Sequence, residues 1–123
     1  MTTRKILIID GEIDIVDVIA AYAREFGFEA DLSINGVDAI EKAMVNDYYA
    51  IFCDYKMPGL DGLAIYKIII SRKPTVKGRF IMITGAILDK DVKDILRKEE
   101  IPLLKKPFRF KDVTNLLSSL EGM

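Results

Sequence analysis

Short apolar runs alternate along this chain with stretches in which apolar residues recur every three or four positions. Lys5-Ile-Leu-Ile-Ile-Asp10 is apolar without alternation, the pattern of a strand covered on both faces. Ile15, Ile19, Tyr22 and Phe26 follow at spacings of four, three and four, which predicts one face of a helix stopping at Gly27. Phe28, Ala30 and Leu32 alternate with polar residues, so a second strand should be more exposed than the first. Val37, Ile40 and Met44 predict a second helix, and Ala50-Ile-Phe-Cys-Asp54 another buried strand. A Met57-Pro58-Gly59 turn then leads to Asp61 as a helix cap, with Leu63, Tyr66 and Ile70 striping the third helix. Phe80-Ile-Met-Ile-Thr84 reads as the fourth strand, and Val92, Ile95 and Leu96 as the fourth helix. Pro102-Leu-Leu104 makes a brief fifth strand, and Phe110, Val113, Leu117 and Leu120 close with a fifth helix.

Strand–helix alternation repeated five times implies an α/β fold: a parallel sheet with helices on both faces, joined by right-handed crossovers. In such sheets ligands bind beyond the carboxyl ends of the strands. That rule selects residues. Asp10 ends the first strand, Asp54 the third and Thr84 the fourth, while Lys106 follows the fifth. Two neighbouring carboxylates repel unless a cation or a proton intervenes, so a divalent metal with oxygen ligands suits them. A lysine and a threonine opposite that metal suit an anion such as a phosphoryl group.

Composition narrows the chemistry. The 123 residues, half of them apolar, fit one domain spanning 1–123. The absence of histidine excludes histidine general bases, zinc sites with histidine ligands and phosphohistidine donors. A single cysteine allows no internal disulfide and fits a reducing compartment; Cys53 itself reads as a small buried hydrophobe. No apolar run is long enough for a signal peptide or a membrane span, so a cytoplasmic domain is expected. The 18 basic and 19 acidic side chains nearly cancel, but they are unevenly placed. Residues 1–61 hold 5 basic and 12 acidic groups, and residues 62–123 hold 13 and 7. Two solvated faces of opposite sign explain this, as does an early cation site facing late anion-binding cations. No Lys/Arg stripe with interleaved aromatics is present, so direct nucleic-acid binding is not expected.

Four segments together resemble the receiver domains of two-component response regulators: Ile6-Leu-Ile-Ile-Asp10-Gly-Glu12, Asp54-Tyr-Lys-Met-Pro-Gly-Leu-Asp-Gly62, Met82-Ile-Thr84-Gly-Ala86 and Leu104-Lys-Lys-Pro-Phe108. Ile34-Asn-Gly-Val-Asp-Ala39 supports them, and the resemblance covers essentially the whole chain. Each segment alone is weak; four in order, each at an expected strand end, are specific. The resemblance implies a flavodoxin-like doubly wound five-stranded sheet, order 2-1-3-4-5, with five helices. It also implies phosphoryl transfer from a histidine kinase or a His-containing phosphotransfer domain onto Asp54, with Mg²⁺. Asp54 would be the phosphoacceptor, a recognised use of a carboxylate nucleophile. Asp10, Asp54 and the main-chain carbonyl of Lys56 would hold the metal. The Thr84 hydroxyl and Lys106 would each meet a phosphoryl oxygen, and Gly85 would keep the approach uncrowded. An output domain or protein would read the face near the fourth helix, fifth strand and fifth helix. Such a domain is a signalling switch and not an enzyme beyond catalysing its own phosphorylation.

Two positions depart from the pattern. The family usually places two acidic residues in a row after the first strand, and here the second is Gly11. Losing a ligating carboxylate should cost about 10–100-fold in metal affinity, although Mg²⁺ often needs only one or two carboxylates. Glu12 has the length to reach the metal directly or through water. Leu103 stands where the family often has Tyr or Phe, so switching must rely more on backbone and helix shifts. Both departures suit an alternative, a pseudo-receiver that binds a partner without phosphorylation. A haloacid-dehalogenase-like phosphatase is echoed by Asp10-Gly11-Glu12, but Ile8 stands where its other carboxylate belongs. A GxxxxGK[ST] phosphate loop is absent. Pro102-Leu-Leu104 before Lys105-Lys106-Pro107 is faintly similar to hybrid-kinase receivers, and a stand-alone regulator is equally compatible.

Overall fold

The computed structural model describes residues 4–120; the ends of the expected 1–123 span lie outside the described residues. The strands are β1 (Lys5–Ile9), β2 (Glu29–Ser33), β3 (Ala50–Asp54), β4 (Phe80–Thr84) and β5 (Leu103–Lys105). They alternate with α1 (Ile13–Glu25), α2 (Gly36–Val45), α3 (Gly62–Arg72), α4 (Lys90–Lys98) and α5 (Phe110–Leu120). A single 3-10 turn at Pro74–Val76 follows α3, a feature the periodicity does not show. All pairings are parallel and the strand order is β2-β1-β3-β4-β5, the order the family resemblance implies.

The unbroken apolar runs are explained by the two cores. Ile6 and Ile8 join Val16, Ile19, Phe52, Ile81, Val113 and Leu117 on the face covered by α1 and α5. Leu7 and Ile9 point the other way, to Ala39, Ile51, Ile65, Ile69, Met82 and Leu96 under α2, α3 and α4. Every position of β3 and β4 is buried, whereas edge strand β2 has only Ser33 buried. Each buried aliphatic or aromatic side chain contributes about 1.5–3 kcal/mol by leaving water.

Three details differ from the periodicity. Val37 does not belong to the buried stripe of α2; it is 66% exposed, and Gly36, Ala39 and Ala43 are buried instead. The small residues let α2 approach α3, where a Cβ on Gly36 would already stand 3.2 Å from Ile65 Cδ1. Close packing of small side chains thus outweighs contact through the larger valine. Strand β5 begins one residue later than expected: Pro102 has no N–H to add to the ladder, although its carbonyl accepts from Met82 N–H at 2.9 Å. Phe110 opens α5 on the surface side, edge-on to Tyr22 with ring centroids 5.6 Å apart.

The β3–α3 loop is closed at both ends. Tyr55 N–H donates to the Ile83 carbonyl at 2.9 Å, and Gly62 N–H donates to the Tyr55 carbonyl at 2.8 Å. Asp61 caps α3 by accepting from Ala64 N–H at 2.9 Å. Gly59 turns the loop at φ +82°. At Gly62 the limit is space: a Cβ there would lie 2.8 Å from the Asp54 carbonyl oxygen and 2.9 Å from Tyr55 Cα. Backbone cannot yield as a side chain can, so Gly62→Ala is expected to cost about 1–3 kcal/mol in urea unfolding. An unchanged midpoint would mean that the loop relaxes freely.

Candidate functional site

The carboxyl ends of β1, β3 and β4 and the residue after β5 bring Asp10, Asp54, Thr84 and Lys106 to one rim, as parallel strands in register must. With Gly11, Glu12, Lys56 and Pro58 they line a cleft of about 430 Å³. Asp10 is fully buried, Asp54 is 7% exposed and Thr84 5% exposed.

Asp10 divides its two oxygens. Oδ1 accepts from Glu12 N–H at 2.9 Å and fixes the β1–α1 loop, while Glu12 occupies the N-cap position of α1. Oδ2 is buried and makes no hydrogen bond among the described residues. Lys106 Nζ stands 3.1 Å from it as counter-ion, and also 3.2 Å from Glu12 Oε1 and 3.8 Å from Asp54 Oδ2. One ammonium thus serves three carboxylates. The acidic early half and the basic late half of the chain meet at this point.

Electrostatics follow from that crowding. Burial raises the pKa of Asp54 from 3.8 to about 6, the Asp10 charge adds to the rise, and Lys106 and the Lys56 backbone N–H oppose it. For Lys106, burial pulls the ammonium down, but the close Asp10 carboxylate and the charge of Asp54 outweigh it, so its pKa is raised.

The donor set fits a divalent cation that prefers oxygen. Asp10 Oδ2 is a carboxylate oxygen without a hydrogen bond, facing the same cleft as Asp54. Among the described residues no group of three or more Asp, Glu, Cys or His side chains forms a complete metal cage. An ion held by Asp10 and Asp54 would therefore need waters to complete its shell. Glu12, 70% exposed at its side chain, spends its carboxylate on Lys106. Gly11 leaves the cleft open: it lies outside the left-handed region, and a Cβ there would meet only Pro58 Cδ, at 3.9 Å.

Two features escape sequence reasoning. The Thr84 hydroxyl does not face a free cleft; it donates to the Ala86 carbonyl at 3.1 Å and lies 3.2 Å from Ala86 N–H. Backbone partners carry no residue-type signal, so no pattern could have named Ala86. Gly85 makes room for lysine, since an added Cβ would meet the Lys106 side chain at 3.4 Å rather than Asp54.

Comparison with known proteins agrees with this geometry. A family model described as "Response regulator receiver domain" matches residues 6–118. The chain is 28% identical over 113 residues to the transcriptional regulatory protein ZraR of Klebsiella oxytoca, covering 92% of this chain and 25% of that protein. It is 31% identical over 120 residues to the uncharacterized transcriptional regulatory protein YesN of Bacillus subtilis, covering 95% and 31%. The chain therefore spans about a quarter to a third of these relatives. Among solved structures, the receiver domain of the sensor histidine kinase PA1611 from Pseudomonas aeruginosa, described with magnesium in its active-site cleft, is 25% identical with a TM-score of 0.85, covering 99% and 100%. The Vibrio cholerae chemotaxis protein CheY4 shares the fold at 21% identity, TM-score 0.85, covering 97% and 99%. Among the described residues no helix is long and apolar enough to cross a membrane.

Proposed function

We propose that this chain, which belongs to the response regulator receiver domain family, accepts a phosphoryl group on Asp54 from a histidine kinase or phosphotransfer partner, in the cytoplasm. The observation that supports this most is the buried Asp10–Asp54 pair bridged by Lys106 at the mouth of one cleft. In the reaction an Asp54 carboxylate oxygen forms the new O–P bond as the P–N bond of the donor's phosphohistidine breaks. The electron pair of that bond returns to the imidazole. The nucleophile is already an anion, so catalysis is positioning and charge neutralisation. Asp10, Asp54 and the Lys56 carbonyl would hold Mg²⁺, which when bound would neutralise phosphoryl oxygens. Lys106 leaves its carboxylates for a phosphoryl oxygen, and Thr84 exchanges Ala86 for another. Because the nucleophile must be ionised and burial with Asp10 raises its pKa, labelling at limiting Mg²⁺ should be lost on acidification at a higher pH than an ordinary aspartate would require.

The test is incubation with Mg²⁺ and acetyl phosphate followed by mass spectrometry. An adduct of about 80 Da is expected, mapping to the peptide that contains Asp54. No adduct at saturating Mg²⁺ would favour the second reading, a pseudo-receiver that binds its partner unphosphorylated, which the missing carboxylate at Gly11 supports.

Gly11→Asp separates the two. The space and backbone at residue 11 admit the side chain without strain. Mg²⁺ affinity, read from the rise in melting temperature with added metal, should increase about tenfold or more. Labelling at limiting Mg²⁺ should rise with it. Unchanged affinity would show that residue 11 does not reach the ion.

A further inference from the structure

We propose that a cavity at the amino ends of β3 and β4, at the opposite end of the sheet from the acceptor cleft, binds a small monocarboxylic acid with a short apolar tail. The cavity, about 210 Å³, lies where α2 runs into β3 and the 3-10 turn runs into β4. Its wall is apolar at Ala43, Ile51 and Val76. It is smaller than a drug-sized site, which suits a ligand of a few carbon atoms. It shares no residue with the acceptor cleft, so the assignment stands whether or not Asp54 is labelled.

The bonds its charged groups already make identify the ligand's head. Lys73 Nζ donates to the Asn46 carbonyl at 2.8 Å and pairs with Asp47 Oδ1 at 3.1 Å, tying the end of α3 to the end of α2. Arg79 is different. It is partly buried, donates one N–H to the Tyr49 carbonyl at 3.1 Å, and holds its guanidinium over the Tyr49 ring at 5.1 Å. No carboxylate among the described residues pairs with it. Its other N–H groups form a planar fork that a carboxylate matches with two parallel hydrogen bonds. Resting on Tyr49, the fork is ordered before a ligand arrives, which lowers the cost of binding. Lys73 and Arg79 against Asp47 leave the lining at +1, which a single negative charge balances. A phosphomonoester dianion would exceed it. The Tyr48 hydroxyl is committed to Asp31 at 2.6 Å, so the wall beside the fork favours an apolar tail.

The experiment titrates the ¹⁵N-labelled chain with sodium propionate, butyrate and pentanoate at constant ionic strength. Saturable amide shifts are expected at residues 43–51 and 73–79, with affinity rising about fourfold per added methylene. The neutral alcohol of the same length as pentanoate should bind at least about tenfold more weakly, and inorganic phosphate at equal concentration should not displace the acid. Arg79→Gln should lose about tenfold or more in affinity, and Arg79→Lys, which keeps the charge but not the fork, should lose less. Pentanoate should raise the melting temperature of the unsubstituted chain and leave that of Arg79→Gln unchanged. Should Arg79→Gln fail to fold, Arg79→Lys and the alcohol comparison decide the matter. Equal binding of alcohol and acid, displacement by phosphate, affinity indifferent to residue 79, or shifts spread over the whole chain would each overturn the proposal.

Discussion

Asp54→Asn is expected to abolish the phosphoryl adduct and at the same time to stabilise the domain by about 2 kcal/mol at pH 7.5. The loss of labelling follows because the amide is no nucleophile and no other carboxylate in the cleft has its position on β3. The gain follows from the pKa of Asp54, raised from 3.8 to about 6 by burial and by Asp10. Between those values the folded chain binds more protons than the unfolded chain, so this group's contribution falls as pH rises from 3.8 to 6. Above 6 the ionised carboxylate costs about two pKa units at about 1.4 kcal/mol each, somewhat less where water reaches it. Asparagine has no charge to bury. Urea unfolding should therefore show the variant ahead at pH 7.5 and the two proteins converging towards pH 4. A gain that stays constant across that range would show that ionisation is not its source. An adduct of about 80 Da surviving in Asp54→Asn would place the acceptor elsewhere.

Lys106→Ala should have the opposite sign and a larger size. Asp10 is fully buried with one oxygen unbonded, and Lys106 Nζ at 3.1 Å is the cation beside it. Breaking a buried pair by removing one partner typically costs about 3–5 kcal/mol. The loss should be greatest at neutral pH without divalent cations. Acid relieves it, because without the ammonium Asp54 holds its proton to higher pH. Saturating Mg²⁺ relieves it by replacing one cation with another. Melting temperatures at pH 7.5 with and without Mg²⁺, and at pH 5, check this. If Lys106→Ala matches the unsubstituted chain at pH 7.5 in chelator, the ammonium is a surface charge and does not hold the cleft together.

The order of elements and the rim residues were legible in the sequence for physical reasons. A strand covered on both faces is apolar along its run, as Ile6–Ile9, Ala50–Cys53 and Phe80–Ile83 are, so the polar residue that ends each run announces the end where ligands bind. Asp61 announces α3 because capping demands a residue type. The exposed Val37 and the start of β5 were not legible, since a stripe of small residues and a missing proline N–H act only once neighbours are in place.

By itself, then, the sequence determined the alternation of strands and helices, and its motifs pointed to the chemistry of Asp10, Asp54, Thr84 and Lys106. The tertiary structure decided how those groups share their bonds: that Lys106 serves Asp10, Glu12 and Asp54 together and that Thr84 rests on Ala86. The physical reason is that residue types fix which bonds a group can make, whereas distance and burial select which it does make. Lys106 and Glu12 are 94 residues apart in sequence and 3.2 Å apart in space, a proximity that only the folded sheet creates.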